Sequence, residues 1–152
     1  MSDEYPPTRE AWGDLTSDLD VEFAFREFGG KTIEEAVPVF AESPVESASG
    51  LRFAPPAVFN YYILAFAEAS LADDSRGQAD LASSFLTLVR DRAVEQPSTL
   101  AGLWERLRPA LVSVSERQAF YGADADVHGS FAQLREEAEA AMREYEEDAA
   151  GS

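Results

Sequence analysis

The sequence predicts an all-α protein, a single-domain bundle of about five helices around a buried central helix at about residues 57–71. Three observations favour this fold class. The segment after Pro55 and Pro56 is apolar on nearly every side of a helix, so other helices are expected to surround it. Two later segments repeat apolar residues at i, i+3 and i+4. A threonine and a serine also open four-residue patterns that are typical of capped helix starts.

The amino-terminal region predicts an arm, a turn and one helix. We expect residues 1–7 to form a flexible acidic arm, and residues 8–147 to form the domain. Thr8 is expected to cap the first turn of that domain. Residues 18–28 satisfy the spacing of both a strand and a helix. The two glycines that follow, at 29–30, favour a helix with a left-handed end.

The next region predicts a short helix and then a loop. Thr32 and Glu35 form a capping-box pattern, in which each side chain accepts a hydrogen bond from a free backbone N–H. Pro38 lacks a backbone donor and clashes with the preceding turn, which limits this helix to a few residues. Residues 41–50 contain a proline, three serines and a glycine, and we predict a loop there.

The second half of the chain predicts a turn and two helices. After a turn at 73–77, the apolar spacing predicts a helix from Ala79 to about Glu95. Another helix follows Pro97, and Pro109 inside it predicts a kink or a break.

The last helix is predicted to be amphipathic. It begins at Ser130, which forms a second capping-box pattern with Gln133. One side of this helix is acidic, and a disordered tail is expected at 148–152. The other side is apolar and contains Phe131, Leu134, Ala138, Ala141 and Tyr145.

Composition argues against several classes of function. The 29 acidic and 12 basic residues give a formal charge of −17, which repels the phosphates of a nucleic acid. The densest bases, Arg90 with Arg92 and Arg106 with Arg108, fit ordinary helix faces. With no cysteine and one histidine, the chain offers little for a metal site or for nucleophilic catalysis. We therefore expect no metal, no cofactor and no catalytic residue.

The chain also carries no pattern typical of a targeted or membrane protein. Its first residues are acidic and lack an apolar segment. The longest apolar run is interrupted by Asn60 and is too short to span a bilayer of about 30 Å. We expect no membrane partner and a cytoplasmic location.

Two short segments resemble ligand-binding motifs without completing them. Residues 30–32 match the end of a phosphate-binding loop, but Phe25 stands where its first glycine belongs. Residues 124–129 match the first part of a calcium loop, but Arg135 occupies the position of its bidentate glutamate. A hydrolytic triad would have to draw His128, a serine and an acid from one loop, whereas working triads use separate elements.

The central segment carries a family resemblance. Residues 51–66 read Leu-Arg-Phe-Ala-Pro-Pro-Ala-Val-Phe-Asn-Tyr-Tyr-Ile-Leu-Ala-Phe. This resembles a group of small bacterial proteins of unknown function with a Phe-x-Tyr-Tyr-Leu-Pro-Ala-Phe segment in the main helix. Leu64 stands where that group usually has proline. The resemblance implies a shared core and a role like that of bacterial immunity and accessory proteins, and it transfers no catalytic residue.

The distribution of acid leads to the first functional hypothesis. Residues 1–22 and 136–152 each hold seven acids and one base. Such ends are either solvated segments or a surface that steers a basic protein partner. Under the second interpretation the protein is a non-enzymatic interaction protein of the immunity type. Its candidate partner-binding residues lie on the last helix and are Glu136, Glu139, Glu146 and Glu147.

A second hypothesis places a small ligand or a substrate beside the central helix. Asn60 and Tyr61 are polar groups on an otherwise apolar segment, and each either finds a hydrogen-bond partner in the core or lines a pocket. A further alternative is a subunit that dimerises through the apolar face between Phe131 and Tyr145.

Overall fold

The computed structural model describes residues 5–16 and 18–151, and this part of the chain contains nine α-helices and no strand. The all-α single-domain prediction is confirmed, although seven helices have eight residues or more, so about five was too few. The helices are α1 (Leu19–Phe28), α2 (Ile33–Glu42), α3 (Pro44–Leu51), α4 (Pro56–Leu71), α5 (Ala79–Glu95), the single turn α6 (Pro97–Leu100), α7 (Trp104–Ser115), the single turn α8 (Ala125–His128) and α9 (Phe131–Ala150). Short 3-10 turns lie at Arg9–Trp12, Asp73–Ser75 and Ala101–Leu103.

Helix α4 is the centre of the bundle. Ten of its sixteen residues are buried, and it packs against α2, α5 and α7. Neighbours do not cover it completely, however. Ala57, Leu64 and Glu68 follow one another at helical spacing and form a stripe that reaches the surface. The expectation that other helices surround it on every side is therefore wrong for this stripe.

The amino-terminal caps confirm the predicted turn and helices. Thr8 Oγ1 accepts a hydrogen bond from the Ala11 N–H at 3.3 Å. Residues 18–28 are helical from Leu19, and Gly30 after them has a φ of +77°, a conformation that glycine adopts without strain. Thr32 and Glu35 form the full capping box, with distances of 3.2 Å and 3.0 Å.

Pro38 was expected to limit its helix to a few residues and Pro109 to kink or break its helix, but neither helix is broken at its proline. Helix α2 continues through Pro38 to Glu42, and α7 continues through Pro109 to Ser115. The break in the second case lies earlier, at Ala101–Leu103. Both prolines lie on exposed helix faces, where water can replace the lost backbone hydrogen bond. In α2, Phe40 also stacks between two buried rings, those of Phe28 and Phe66, at 4.7 Å and 4.5 Å.

The loop predicted at 41–50 is also wrong, because the segment forms the end of α2 and most of α3. Only Ser43 separates the two helices. Pro44 is the first residue of α3, a position whose N–H would have no helical partner in any case. Gly50 lets α3 approach α1 closely: a Cβ there would lie 3.0 Å from Ala24 Cβ and 3.2 Å from the Asp20 carbonyl oxygen.

The chain ends differ in part from their predicted boundaries. Helix α9 runs to Ala150, so residues 148–150 are not a disordered tail. Their Ala-rich and Glu-rich surroundings have high helix propensity. Ser130 Oγ accepts the Gln133 N–H at 3.2 Å, but the Gln133 side chain turns to Glu137, so the second capping box is half formed. Residues 1–4 of the predicted arm and Ser152 lie outside the described residues.

Arg92 is not the exposed helix position that its sequence context suggested. Its side chain is 2% exposed and is the only charged one fully enclosed in the described part of the chain. The guanidinium donates to the Arg52 and Ala54 carbonyls, both at 3.0 Å, and stacks 4.2 Å above the Phe59 ring. Burial lowers the Arg92 pKa. Arg92 thus fixes the connection between α3 and α4.

The α1–α3 contact yields a stability prediction. Gly50→Val should lower the free energy of unfolding by about 1–3 kcal/mol, because overpacking forces two helices apart. Gly102→Val is the matched control: a Cβ at that position would have no non-neighbouring atom within 4 Å, and the expected change is below about 0.5 kcal/mol. Urea denaturation measures both variants. Equal effects would contradict the close approach.

Candidate functional site

Helix α9 presents the acidic surface that the sequence predicted. Its buried residues are Phe131, Ala138 and Met142, while Leu134 and Ala141 are partly buried against the core. The predicted apolar side is therefore correct, with Met142 as an addition. These contacts attach α9 to α5 and α7 and leave its acidic residues facing away from the core.

The four predicted glutamates differ in their surroundings. Glu136, Glu146 and Glu147 are exposed and form no salt bridge within residues 5–16 and 18–151. We call these three the outer acidic face. Glu139 is different, because its side chain is 18% exposed and lies 2.6 Å from Arg108 Nη2 and 3.4 Å from Arg135 Nε. Two arginines of the same protein therefore already neutralise Glu139.

On its α7 side, α9 borders a groove of mixed charge. This groove, of about 660 Å³, carries both acidic and basic side chains beside Trp104. The charged residues that line it are Glu105, Arg108, Glu139, Arg143 and Glu146. The α7 side of α9 is therefore only weakly acidic.

On its α5 side, α9 borders a groove of about 530 Å³ that we call the α5–α9 groove. Its floor is apolar, and it is lined by Ala93, Val94, Pro97, Ala140, Ala141 and Tyr145. Its charged lining residues are Glu137, Glu144 and Asp148, all acidic. Arg90 approaches Glu137 at 2.6 Å, and this hydrogen bond, together with that of Gln133, lowers the Glu137 pKa.

The sequence analysis missed this side of α9. Residues 137, 141, 144 and 148 recur at intervals of three or four and therefore share one face of a helix. That spacing could have identified the acids. The contribution of Val94 and Pro97 depends on the packing of α5 against α9, which no local pattern encodes.

A cleft of about 390 Å³ opens beside Asn60 and Tyr61, bordered also by Tyr5, Leu103 and Arg106. The polar groups of α4 at this cleft already bond within the fold. Asn60 Nδ2 donates to the Thr99 carbonyl at 2.9 Å, and the Tyr61 hydroxyl accepts the Ile33 N–H at 3.2 Å. Asn60 Oδ1 is enclosed and has no hydrogen-bond partner.

Like Tyr61, Tyr62 bonds to the connection between α1 and α2, but from inside the core. Its hydroxyl lies 2.7 Å from the Phe28 carbonyl oxygen and 2.8 Å from that of Lys31, so one proton is shared between two acceptors. Tyr61 therefore satisfies the start of α2, while Tyr62 satisfies the end of α1. Tyr61 thus has a hydrogen-bond partner in the core, one of the two alternatives that the sequence left open, and it also lines the cleft.

The residues that resembled a calcium loop or a hydrolytic triad have structural roles around α8. Asp124 accepts the Asp126 N–H at 2.9 Å and so caps α8. His128 is not freely exposed: its Nε2 lies 3.1 Å from Asp80 Oδ1, and its side chain is 19% exposed. Ser130 caps α9. In the described ranges, no group of three or more histidine, cysteine, aspartate or glutamate side chains could hold a metal ion.

Comparison of this chain with protein-family models, curated proteins and solved structures finds no match. The resemblance of residues 51–66 to small bacterial proteins therefore stays a prediction. Among the helices of the described residues, none combines the length and the apolar character needed to cross a membrane.

The hydrogen bonds of Tyr62 to the connection between α1 and α2 yield the second prediction. Tyr62→Phe should lower the free energy of unfolding by about 1–2 kcal/mol, because the Lys31 carbonyl loses its side-chain donor and the Phe28 carbonyl keeps only the Lys31 N–H, at 2.8 Å. Tyr145→Phe is the control, since the half-buried Tyr145 makes no hydrogen bond in the described structure; it should change stability by less than about 0.5 kcal/mol. Thermal and urea denaturation measure both. Similar losses of stability in the two variants would show that the Tyr62 hydrogen bonds do not stabilise the connection between α1 and α2.

Tyr62 should also affect how the free energy of unfolding changes with pH under alkaline conditions. Burial, and then the neighbouring Tyr61, raise the Tyr62 pKa above the ordinary tyrosine value. An unfolded tyrosine loses its proton near about pH 10, so this contribution is complete below that pH and is lost as the pH rises further. Tyr62→Phe should therefore lose less stability than the wild type across that range. An unchanged slope would contradict the assignment.

Proposed function

We propose that this protein is an acidic, non-enzymatic interaction protein, of the immunity type, which binds a basic protein partner through α9. The observation that carries the proposal is the acidic charge at the carboxyl end of this helix. Glu146 and Glu147 occupy its final turns without a salt bridge in the described structure, and no basic residue lies in the last turn.

That placement works against the stability of the helix. The carboxyl end of a helix carries a partial negative charge, so acids there are unfavourable by a few tenths of a kcal/mol each, whereas bases are favourable. Glu146 and Glu147 therefore contribute little to folding. A basic partner would neutralise both the side chains and the helix end.

An acidic helix that is attached to the core also suits rapid association. Clustered charge of one sign accelerates encounter with an oppositely charged protein, and this effect weakens as salt screens the charges. Because Arg108 and Arg135 neutralise Glu139, we assign the binding role to Glu136, Glu146 and Glu147, and leave Glu139 as a contact that orders α7 against α9.

The small-ligand pocket beside Tyr61 stays a hypothesis with less support. Tyr61 and the Asn60 amide nitrogen, which would orient a ligand, already bond to Ile33 and Thr99. The enclosed Asn60 Oδ1 is the one observation in its favour.

Charge-neutralising variants test the proposed role with a lysine homopolymer as the basic probe. Its affinity should fall by more than about tenfold between about 50 and 300 mM salt. Glu146→Gln/Glu147→Gln should bind it about threefold or more weakly than Glu42→Gln/Glu46→Gln. The control pair removes the same charge from exposed residues of α2 and α3 that form no salt bridge in the described structure.

Fluorescence anisotropy with a labelled probe gives both quantities. Affinity that does not respond to salt would remove the electrostatic basis of the proposal. Equal losses in the two double variants would show that net charge matters and that α9 has no special role.

A further inference from the structure

The α5–α9 groove combines an exposed apolar floor with charge of a single sign. Val94 is 57% exposed, although the preceding Ala93 is fully buried. Pro97 and the half-buried Tyr145 continue the apolar surface across the groove. Apolar groups that the fold leaves in water at the centre of a charged rim are typical of protein contact surfaces.

The small residues of the floor determine what could approach it. Ala140 and Ala141 of α9 face Ala93 of α5 across the groove. Side chains of this size allow another backbone to come close, while Tyr145 provides a large, stiff ring of the kind that carries binding energy at interfaces.

The rim of the groove determines the charge of the occupant. Glu144 and Asp148 lie one helical turn apart on α9, and Glu137 lies two turns before Glu144. No basic side chain lines this groove, although Arg90 pairs with Glu137 at one end. The groove on the α7 side instead contains Arg108 and Arg143. Charge complementarity therefore favours a basic occupant in the α5–α9 groove over one in the groove on the α7 side.

We propose that the α5–α9 groove is the docking site of the partner and that it takes a basic amphipathic helix. Apolar residues of that helix contact Val94 and Tyr145, and its flanking lysine or arginine residues lie against Glu144 and Asp148. The occupant is a helical protein segment because the groove lies between two helices and its lining extends over about three turns of α9, from Glu137 to Asp148, with the apolar floor and charged rim that helix-in-groove recognition uses. This inference rests on the proposed function for the sign of the partner's charge.

Two synthetic peptides serve as probes. One is a lysine-rich helix with leucines along one face, and the other has the same composition in an order that disperses the leucines. The two peptides carry equal charge. A difference in their affinities therefore reports contact between the groove and the apolar face of the peptide. The amphipathic peptide should bind the wild-type protein about tenfold more tightly.

A matched pair of variants then locates the contact. Val94→Asp places a charge on the groove floor, and Val127→Asp places the same charge on α8, where Val127 is 74% exposed. His128 of α8 meets Asp80 near the first residue of α5, at the other end of α5 from Val94. Val94→Asp should weaken the amphipathic peptide about tenfold, and Val127→Asp should leave its affinity within about twofold.

The added charge separates the two proposals. If attraction to acid were the whole interaction, Val94→Asp would bind a basic peptide as well as the wild type or better. That result, or equal affinity for the two peptides, would contradict docking in the α5–α9 groove. It would not contradict the proposed function. A wild-type protein that binds neither peptide would overturn both. A preference for the amphipathic peptide that survives Val94→Asp would place docking elsewhere and would also overturn the groove.

Discussion

The hydrogen bonds of three consecutive residues on α4 are the constraint on which the rest of the fold depends. Asn60, Tyr61 and Tyr62 bond to α6, to the start of α2 and to the end of α1. A backbone group left without such a bond beside the core costs about 1–3 kcal/mol. A helix with an almost wholly apolar surface thus determines where its neighbours lie, because three of its polar side chains bond to the backbone of three neighbouring segments.

Arg92 plays the corresponding role at the start of α4. It satisfies the two carbonyls between α3 and α4, and its guanidinium stacks on Phe59. The polar groups of the core are therefore largely occupied by the fold itself. Charge that the fold does not use lies mainly on the outside, where α9 carries acids that oppose its own helix dipole. This division is the reason for placing function on the acidic helix instead of the cleft beside Tyr61.

Sequence patterns predicted the structural features that depend on residues close together in the chain. The Thr32 capping box, the turn at Gly30 and the buried α4 follow from the sequence because each depends on nearby residues. Pro38 and residues 41–50 were misread because packing overrides propensity: Phe40 stacks between two rings, and Gly50 lies against α1. The acidic helix was predictable, but the neutralisation of Glu139 by Arg108 was not, since that contact joins residues 31 positions apart.

Hydrogen exchange of the backbone amides, measured under native conditions, tests most directly whether α4 holds the fold together. The amides between Ile63 and Ala67 should exchange most slowly, at the rate of global unfolding, because they open only when the whole bundle does. Those of the last turn of α9, after Glu146, should exchange fastest among the helices of eight residues or more. If α4 exchanged as fast as the end of α9 while α5 and α7 remained protected, α4 would not be the element on which the others depend.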